Sequence, residues 1–256
     1  MKIASWNVNS LKVRLPQVLD WLAEHEPDVL ALQETKLTDE NFPAEAFRDA
    51  GWQVVFSGQK TYNGVALVSP HPIEDVVTDP VGLEDEHRRI LGASIAGVRV
   101  FGLYVPNGKA VDSDKYVHKL DWLARMAACI ERELAANEHL VVLGDFNIAP
   151  ADADVHDPEA LAEQIHCSTR EREALQRLLD LGLSDTFRLF EQPERSFSWW
   201  DYRMNAFRRN LGLRIDLVLA SKSLVERCRA ATIDVDPRRN ERPSDHAPVI
   251  AEFDLR

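Results

Sequence analysis

The stretch Pro243-Ser244-Asp245-His246-Ala247-Pro248-Val249 runs directly into the apolar Ile250-Ala251-Glu252-Phe253. Proline closes a turn and an alternating run follows, so the segment reads as a loop delivering an acid and an imidazole at the mouth of a strand. Adjacent side chains on extended chain point to opposite sides. Asp245 and His246 therefore cannot serve each other, and the imidazole needs a carboxylate from elsewhere in the chain.

Working outward, the same arrangement recurs. Residues 2–6 read as a strand followed by Asn7, and 28–33 as a continuous apolar strand followed by Glu34. A strand over 98–105 carries Tyr104 at its end, and one over 139–143 precedes Asp145 and Asn147. Asp216 begins a strand over 215–220. Further strands are expected at 53–57, 64–69, 73–77, 90–96, 229–234 and 247–253, and the run over 52–110 reads as a β meander without a long helix.

A helix follows Ser10 and reaches about His25, with Pro16 expected in its first turn, where no N–H is needed. A weaker helix is expected around 43–50. A long amphipathic one spans about Ser113 to Ala136, with Leu120, Leu123, Ala127, Ile130 and Leu134 on one face. Thr169 is placed to cap a helix to Leu181, and 150–168 and 182–214 read as loops. With no linker, low-complexity segment or repeat, residues 1–256 are expected to form a single domain, an α/β arrangement layered helix, sheet, sheet, helix.

The chain has 256 residues, 45% of them hydrophobic, which suffices for a large core without covalent staples. Cys129, Cys167 and Cys228 are far apart and form no CxxC pair, which disfavours a disulfide scaffold or a zinc site and fits a reducing compartment. The first residues are strand-like rather than a secretory h-region. No apolar run approaches the ~20 residues of a membrane span. A cytoplasmic protein with no membrane partner is expected. The net charge of −12 weighs against nucleic acid, unless a basic surface is local or a metal masks the carboxylates.

Polar residues at several strand ends can converge on one rim of a sheet. Here they comprise Glu34, Asp145, Asp216, Asp245, Asn7, Asn147, Tyr104 and His246. Four carboxylates in one pocket repel and need compensation. An oxygen-rich set without cysteine suits Mg²⁺ or Mn²⁺ rather than zinc. This chemistry fits phosphoester hydrolysis. Asp145 would take a proton from water, Asn147 would fix that water or a phosphate oxygen, and His246, oriented by Asp216, would hold a non-bridging oxygen. Glu34 and Asp245 would hold the metal, with Tyr104 and Asn7 adding hydrogen bonds. Singly, each residue has an ordinary reading as turn former, core carboxylate or packed phenol. Their joint occurrence at strand ends favours the chemical one.

The motifs Trp6-Asn7-Val8-Asn9, Leu32-Gln33-Glu34-Thr35-Lys36, Tyr104-Val105-Pro106-Asn107-Gly108, Gly144-Asp145-Phe146-Asn147, Gly212-Leu213-Arg214-Ile215-Asp216 and Ser244-Asp245-His246 occur in that order. Together they resemble the exonuclease III family of abasic-site endonucleases, within the wider deoxyribonuclease I-like superfamily. The resemblance runs from Lys2 to Phe253, and Phe197-Ser198-Trp199-Trp200-Asp201-Tyr202-Arg203 resembles that family's DNA-facing aromatic loop.

The resemblance implies a four-layer αββα sandwich of two packed mixed sheets flanked by helices. It implies Mg²⁺-dependent cleavage, with Mn²⁺ able to substitute, of duplex DNA 5′ to abasic sites to leave a 3′-hydroxyl. It also implies 3′-to-5′ exonuclease action and cleaning of blocked 3′ ends, by a monomer without an obligate protein partner. By motif, Glu34, Asn7, Asp245, Asp145 and Asn147 surround the metal, and Tyr104, Asp145, Asn147, Asp216 and His246 are catalytic. Asn107, Trp199, Tyr202, Arg203, Asn205, Arg208, Arg209, Leu213 and Ile215 face DNA, with Trp199, Leu213 and Ile215 lining the abasic-sugar pocket.

Two positions depart from relatives: Asn9 stands where some carry Asp, and Leu213 where some carry Trp. Arg203, Arg208, Arg209 and Arg214, then Arg238, Arg239 and Arg242, read as two sets of phosphate grips beside the rim. Trp199, Trp200, Tyr202 and Phe207 interleave with the first set as a stacking surface, with one of the two tryptophans expected in the core. A superfamily relative acting on phospholipid or inositol phosphate is the nearest alternative, and the aromatic-arginine loop argues against it. A catalytically inactive DNA-binding module is the other, and the presence of Glu34, Asp145, Asp216 and His246 argues against that.

Overall fold

In the computed structural model, which describes residues 1–83 and 85–255, the apolar runs form two six-stranded mixed sheets. The first holds β1 (Lys2–Asn7), β2 (Val29–Gln33), β3 (Gln53–Ser57), β4 (Val65–Ser69), β11 (Cys228–Ile233) and β12 (Val249–Phe253), in the spatial order β11-β12-β1-β2-β4-β3. The second holds β5 (Ile73–Val77), β6 (Ile90–Ile95), β7 (Val98–Tyr104), β8 (Leu140–Asp145), β9 (Leu183–Asp185) and β10 (Asp216–Ser221), in the order β5-β6-β7-β8-β10-β9.

Each sheet has one central parallel pair, β1/β2 and β7/β8, and the other pairings are antiparallel. A parallel pair requires a crossover. α1 (Leu11–His25) and α3 (Asp114–Ala136) supply the two crossovers. α2 (Ala44–Asp49), α4 (Thr169–Asp180) and the short α5 (Lys222–Val225) complete the α-helices among the described residues.

The sheets pack through their inner faces, where Ile3, Val29, Ala31 and Leu67 meet Leu91, Val100, Val141 and Leu143. The outer face of the first sheet packs Trp6 and Leu32 against Val18, Trp21, Leu22 and Phe47 of α1 and α2. The second packs Phe101 and Val142 against Trp122, Met126 and Leu175 of α3 and α4. Complete burial of one such aliphatic side chain contributes about 1.5–3 kcal/mol. The expected helix, sheet, sheet, helix layering is what forms. No helix among the described residues is long and apolar enough to cross a membrane, and all three cysteines are free and buried.

The expected meander does not exist as one unit. β3 and β4 pair in the first sheet, whereas β5, β6 and β7 belong to the second, so the chain changes sheets across Pro70-His71-Pro72. Local alternation cannot show that switch, because it looks the same on either sheet. Pro16 lies inside α1 rather than in its first turn, because the helix already begins at Leu11. The cap of α4 is Ser168, not Thr169, in a reciprocal pairing with Glu171. β9 falls within a stretch read as loop, and its three residues are too few to show a period.

Candidate active site

The C-terminal ends of β1, β2, β7 and β8 meet the start of β10 and the loop before β12 at one rim of the paired sheets. Asn7 closes β1, and its buried amide donates to Glu34 Oε1 at 2.9 Å and to Asp145 Oδ2 at 3.0 Å. One amide thus bridges carboxylates carried by different sheets. Asp145 stands directly after Gly144, where an added Cβ would lie 1.9 Å from Leu103 O. Only glycine lets β8 run that close to β7. Asp145 Oδ1 accepts the Asn147 N–H at 2.8 Å, which leaves Oδ2 facing the site.

His246 and Asp216 form the dyad that the sequence requires. His246 Nδ1 donates to Asp216 Oδ2 at 2.8 Å, and Nε2 lies 3.7 Å from Asp145 Oδ2. Ser198, which sequence reasoning missed, donates to the same Asp216 oxygen at 2.7 Å and accepts the Asp216 N–H at 3.1 Å. Only the adjacency of Ser198 to Trp199 in the aromatic loop hinted at it. Burial opposes a charge on His246, but the Asp216 and Asp145 carboxylates outweigh it and push the imidazole up to about 10. Burial raises Asp145 to about 7, with Asp216 and Glu34 adding to the rise and the imidazolium opposing it. Tyr104 is pushed well above its ordinary value by burial, then by Glu34 and Asp145, so its phenol keeps its proton.

The donor set fits a hard divalent cation. Ligand atoms of Glu34 and Asp145 lie within 4.8 Å of each other, joined by the one Asn7 amide, whereas His246 beside them is held protonated and offers no lone pair to a cation. The Glu34 carboxylate adds negative charge to a site where burial already raises Asp145. Lys36 partly compensates it, with Nζ 2.9 Å from Glu34 Oε2 and 2.5 Å from Asn9 Oδ1. Asp245 joins this set indirectly: Asn9 Nδ2 donates to its Oδ1 at 2.9 Å and Trp199 Nε1 to its Oδ2 at 3.0 Å.

Around the rim, Asn107 Nδ2 donates to Asn147 Oδ1 at 3.1 Å. Trp199 and Leu213 line a groove of about 640 Å³ together with Leu161, Ile165, His166 and Met204. Ile215 is not on its wall; it is buried beneath, packed with Leu213, Val155 and Cys167. His166 was not anticipated from sequence: its Nδ1 donates to Asn147 O at 2.6 Å, and burial first, then the nearby Lys119 ammonium, lowers it to about 4. Trp200, not Trp199, is the core tryptophan. Tyr202 is half exposed and donates to Pro243 O at 2.8 Å.

The basic sets divide. Asn205, Arg208 and Arg209 are exposed beside the groove. Arg203 is exposed but paired with Asp201. Arg214 is no phosphate grip, because it is buried on Asp154 and Asp185. Arg238 is not one either. It lies buried against the rings of Phe207, Trp200 and Tyr202, at 4.9, 5.7 and 5.8 Å, and donates to Ser244 O, which holds the Asp245-His246 loop. Arg239 pairs with Asp236. An arginine run reads the same in sequence whether it faces solvent or a buried acid.

Residues 4–246 match the Endonuclease/Exonuclease/phosphatase family. The chain belongs to that family, in its exonuclease III branch, and is a nuclease-type hydrolase. It is 37% identical to exodeoxyribonuclease III of Haemophilus influenzae, over 99% of this chain and 100% of that one. Among solved structures it is similar to a 3′–5′ exonuclease from Neisseria meningitidis, at 50% identity and a TM-score of 0.98. An AP endonuclease from Archaeoglobus fulgidus matches at 41% identity and 0.95; both structures are covered over their full length and cover all of this chain.

Proposed function

We propose that this protein is a Mg²⁺-dependent DNA-repair phosphodiesterase that incises duplex DNA 5′ to abasic sites, leaves a 3′-hydroxyl, and also cleans and resects 3′ ends. The Asn7-bridged pair of Glu34 and Asp145, facing the His246–Asp216 dyad, carries the reading. A neighbouring structure, a 3′ phosphatase from Neisseria bound to a product DNA hairpin, is 50% identical and supports the DNA substrate and the 3′-end chemistry. Abasic-site incision draws support from the similarity to the Archaeoglobus fulgidus AP endonuclease.

Glu34, with Asn7, Asp145, Asn147 and Asp245 around it, would hold the Mg²⁺, for which Mn²⁺ can substitute. Bound there, the ion supplies charge stabilisation to the phosphoryl oxygens. Asp145 Oδ2 accepts the proton of the attacking water, a task suited to a carboxyl raised to about 7. His246, protonated and fixed through Nδ1 by Asp216, donates from Nε2 to a non-bridging oxygen. Tyr104 donates its retained proton to the same phosphate. Asn107, Trp199, Tyr202, Asn205, Arg208 and Arg209 line the approach of the duplex, with Leu213 shaping the groove beside the scissile sugar. No protein partner is needed for the chemistry, and the working unit is a monomer.

The test is one end-labelled duplex with a single abasic-site analogue and a second with a 3′-phosphate, each with Mg²⁺ and with EDTA. A metal-dependent nick 5′ to the lesion together with release of the 3′-phosphate is expected. Removal of 3′ groups without internal nicking would overturn the incision half of the proposal. Inertness of a folded protein towards both substrates would overturn all of it.

A further inference from the structure

One fully buried cation has no part in the chemistry described so far. Lys119 sits on α3 in the buried stripe Tyr116, Lys119, Leu123, Met126 and Ile130, at 0% exposure. Its Nζ donates to Asn147 O at 2.7 Å, to Asn107 O at 3.2 Å and to the Glu171 carboxylate, so all three ammonium protons are used. A buried ion pair is a weak source of stability, because desolvation offsets much of the attraction and well-packed apolar residues commonly do as well. What an apolar residue cannot do is donate to two carbonyls at once.

Those two carbonyls belong to the turns after β7 and β8. Asn147 takes the left-handed backbone (φ 51°) that lets its N–H reach Asp145 Oδ1 while its side chain reaches Val105 O at 3.0 Å. Its own carbonyl then points inward, and Lys119 with His166 receives it. Glu171 fixes the ammonium in turn, and is itself held by the Ser168 hydroxyl at 2.6 Å and the His166 N–H at 3.2 Å.

We propose that Lys119 is a positioning residue for hydrolysis: from beneath the site it clamps the exit turns of β7 and β8 together and sets where the Asn107 and Asn147 amides and the Asp145 carboxylate stand. It touches no substrate. The inference rests on the hydrolytic role proposed above for Asp145 and Asn147.

The experiment uses the full chain, with Lys119→Met alone and with Lys119→Met combined with Glu171→Gln, which leaves no lone carboxylate buried. Both are compared with wild type and placed in an Asn147→Ala background. At a temperature well below unfolding, kcat is expected to fall by about tenfold or more. KM and duplex affinity in EDTA should stay within about twofold. The neutral pair should regain thermal stability but not kcat. In the Asn147→Ala background, Lys119→Met should cost less than it does alone, because one of the groups it positions is already gone while Asn107 and Asp145 remain. Wild-type kcat in the neutral pair, or a full independent loss in the Asn147→Ala background, would overturn the inference and reduce Lys119 to a structural ion pair. A wild type that cleaves nothing would overturn the proposed function and this inference with it. A cleaving wild type with unimpaired Lys119 variants would overturn this inference alone.

Discussion

The crossovers β1-α1-β2 and β7-α3-β8 do the same job with different bonds. Each delivers two parallel strands to the rim, and with them Asn7 and Glu34 or Tyr104 and Asp145. In the first, main chain zips the exit turns together. Val8 N–H bonds Gln33 O at 3.0 Å, Ser10 N–H bonds Glu34 O at 2.8 Å, and Leu11 N–H bonds Thr35 O at 3.1 Å. In the second, main-chain pairing ends with Val105 N–H on Asp145 O at 2.9 Å, and side chains take over: Asn147 on Val105 O, Asn107 on Asn147, and Lys119 below. Glu34 thus stands on a turn held by main-chain bonds, with its own backbone left-handed (φ 50°). Asp145 and Asn147 are placed by a few particular side-chain bonds.

This contrast can be broken by experiment. Asp145→Ala in the second crossover should lower kcat by on the order of 10²–10⁴-fold and leave duplex binding in EDTA intact; equal loss of both in a gel-shift and cleavage pair would end its assignment as proton acceptor. Glu34→Gln in the first should act through the metal, weakening its affinity by more than the roughly 10–100-fold that loss of a mere outer-shell partner costs, with partial recovery at high Mg²⁺. Failure of any Mg²⁺ concentration to recover activity would give Glu34 a direct chemical part.

The pH dependence of metal binding sharpens the same contrast. A ligand carboxylate must be deprotonated to bind. Because Asp145 is pushed up to about 7, Mg²⁺ affinity should fall as pH drops through that value, by about tenfold per unit below it, with uptake of metal releasing a proton. Calorimetry in buffers of different ionisation heat reads this directly, and pH-independent affinity between 5 and 7 would place the metal on Glu34 without Asp145. The smallest effect lies outside both crossovers. Arg208→Ala with Arg209→Ala should flatten the slope of log K against log salt by about 1–2 while kcat holds. An unchanged slope would return both arginines to ordinary solvated surface.

Much of the site was legible because it sits where regular structure ends. Apolar runs stopped by Asn7, Glu34, Asp145 and Asn147 locate themselves, and the Asp216–His246 pairing follows from the need of the imidazole for a distant carboxylate. The supporting residues were not legible. Lys119 falls in helical register with Tyr116 and Leu123, yet a lysine there looks like the polar side of the helix. His166 lies in an aperiodic loop, and Ser198 differs from other serines only by its partner, Asp216. Arg214 and Arg238 misled for the converse reason: Asp154 and Asp185 that bind one, and the aromatic cage around the other, come from segments far along the chain or pack around the residue from several sides.

By itself, then, the sequence determined the layers, the strand ends and the chemical types gathered there, because hydrophobic period and chain punctuation are local properties. Which strands share a sheet, that Asn7 bridges carboxylates from both sheets, which arginines face solvent, and how the Asn147 turn is held were decided by tertiary structure. Those outcomes depend on contacts between distant segments, and on whether a charged group finds a buried partner there, which no local pattern records.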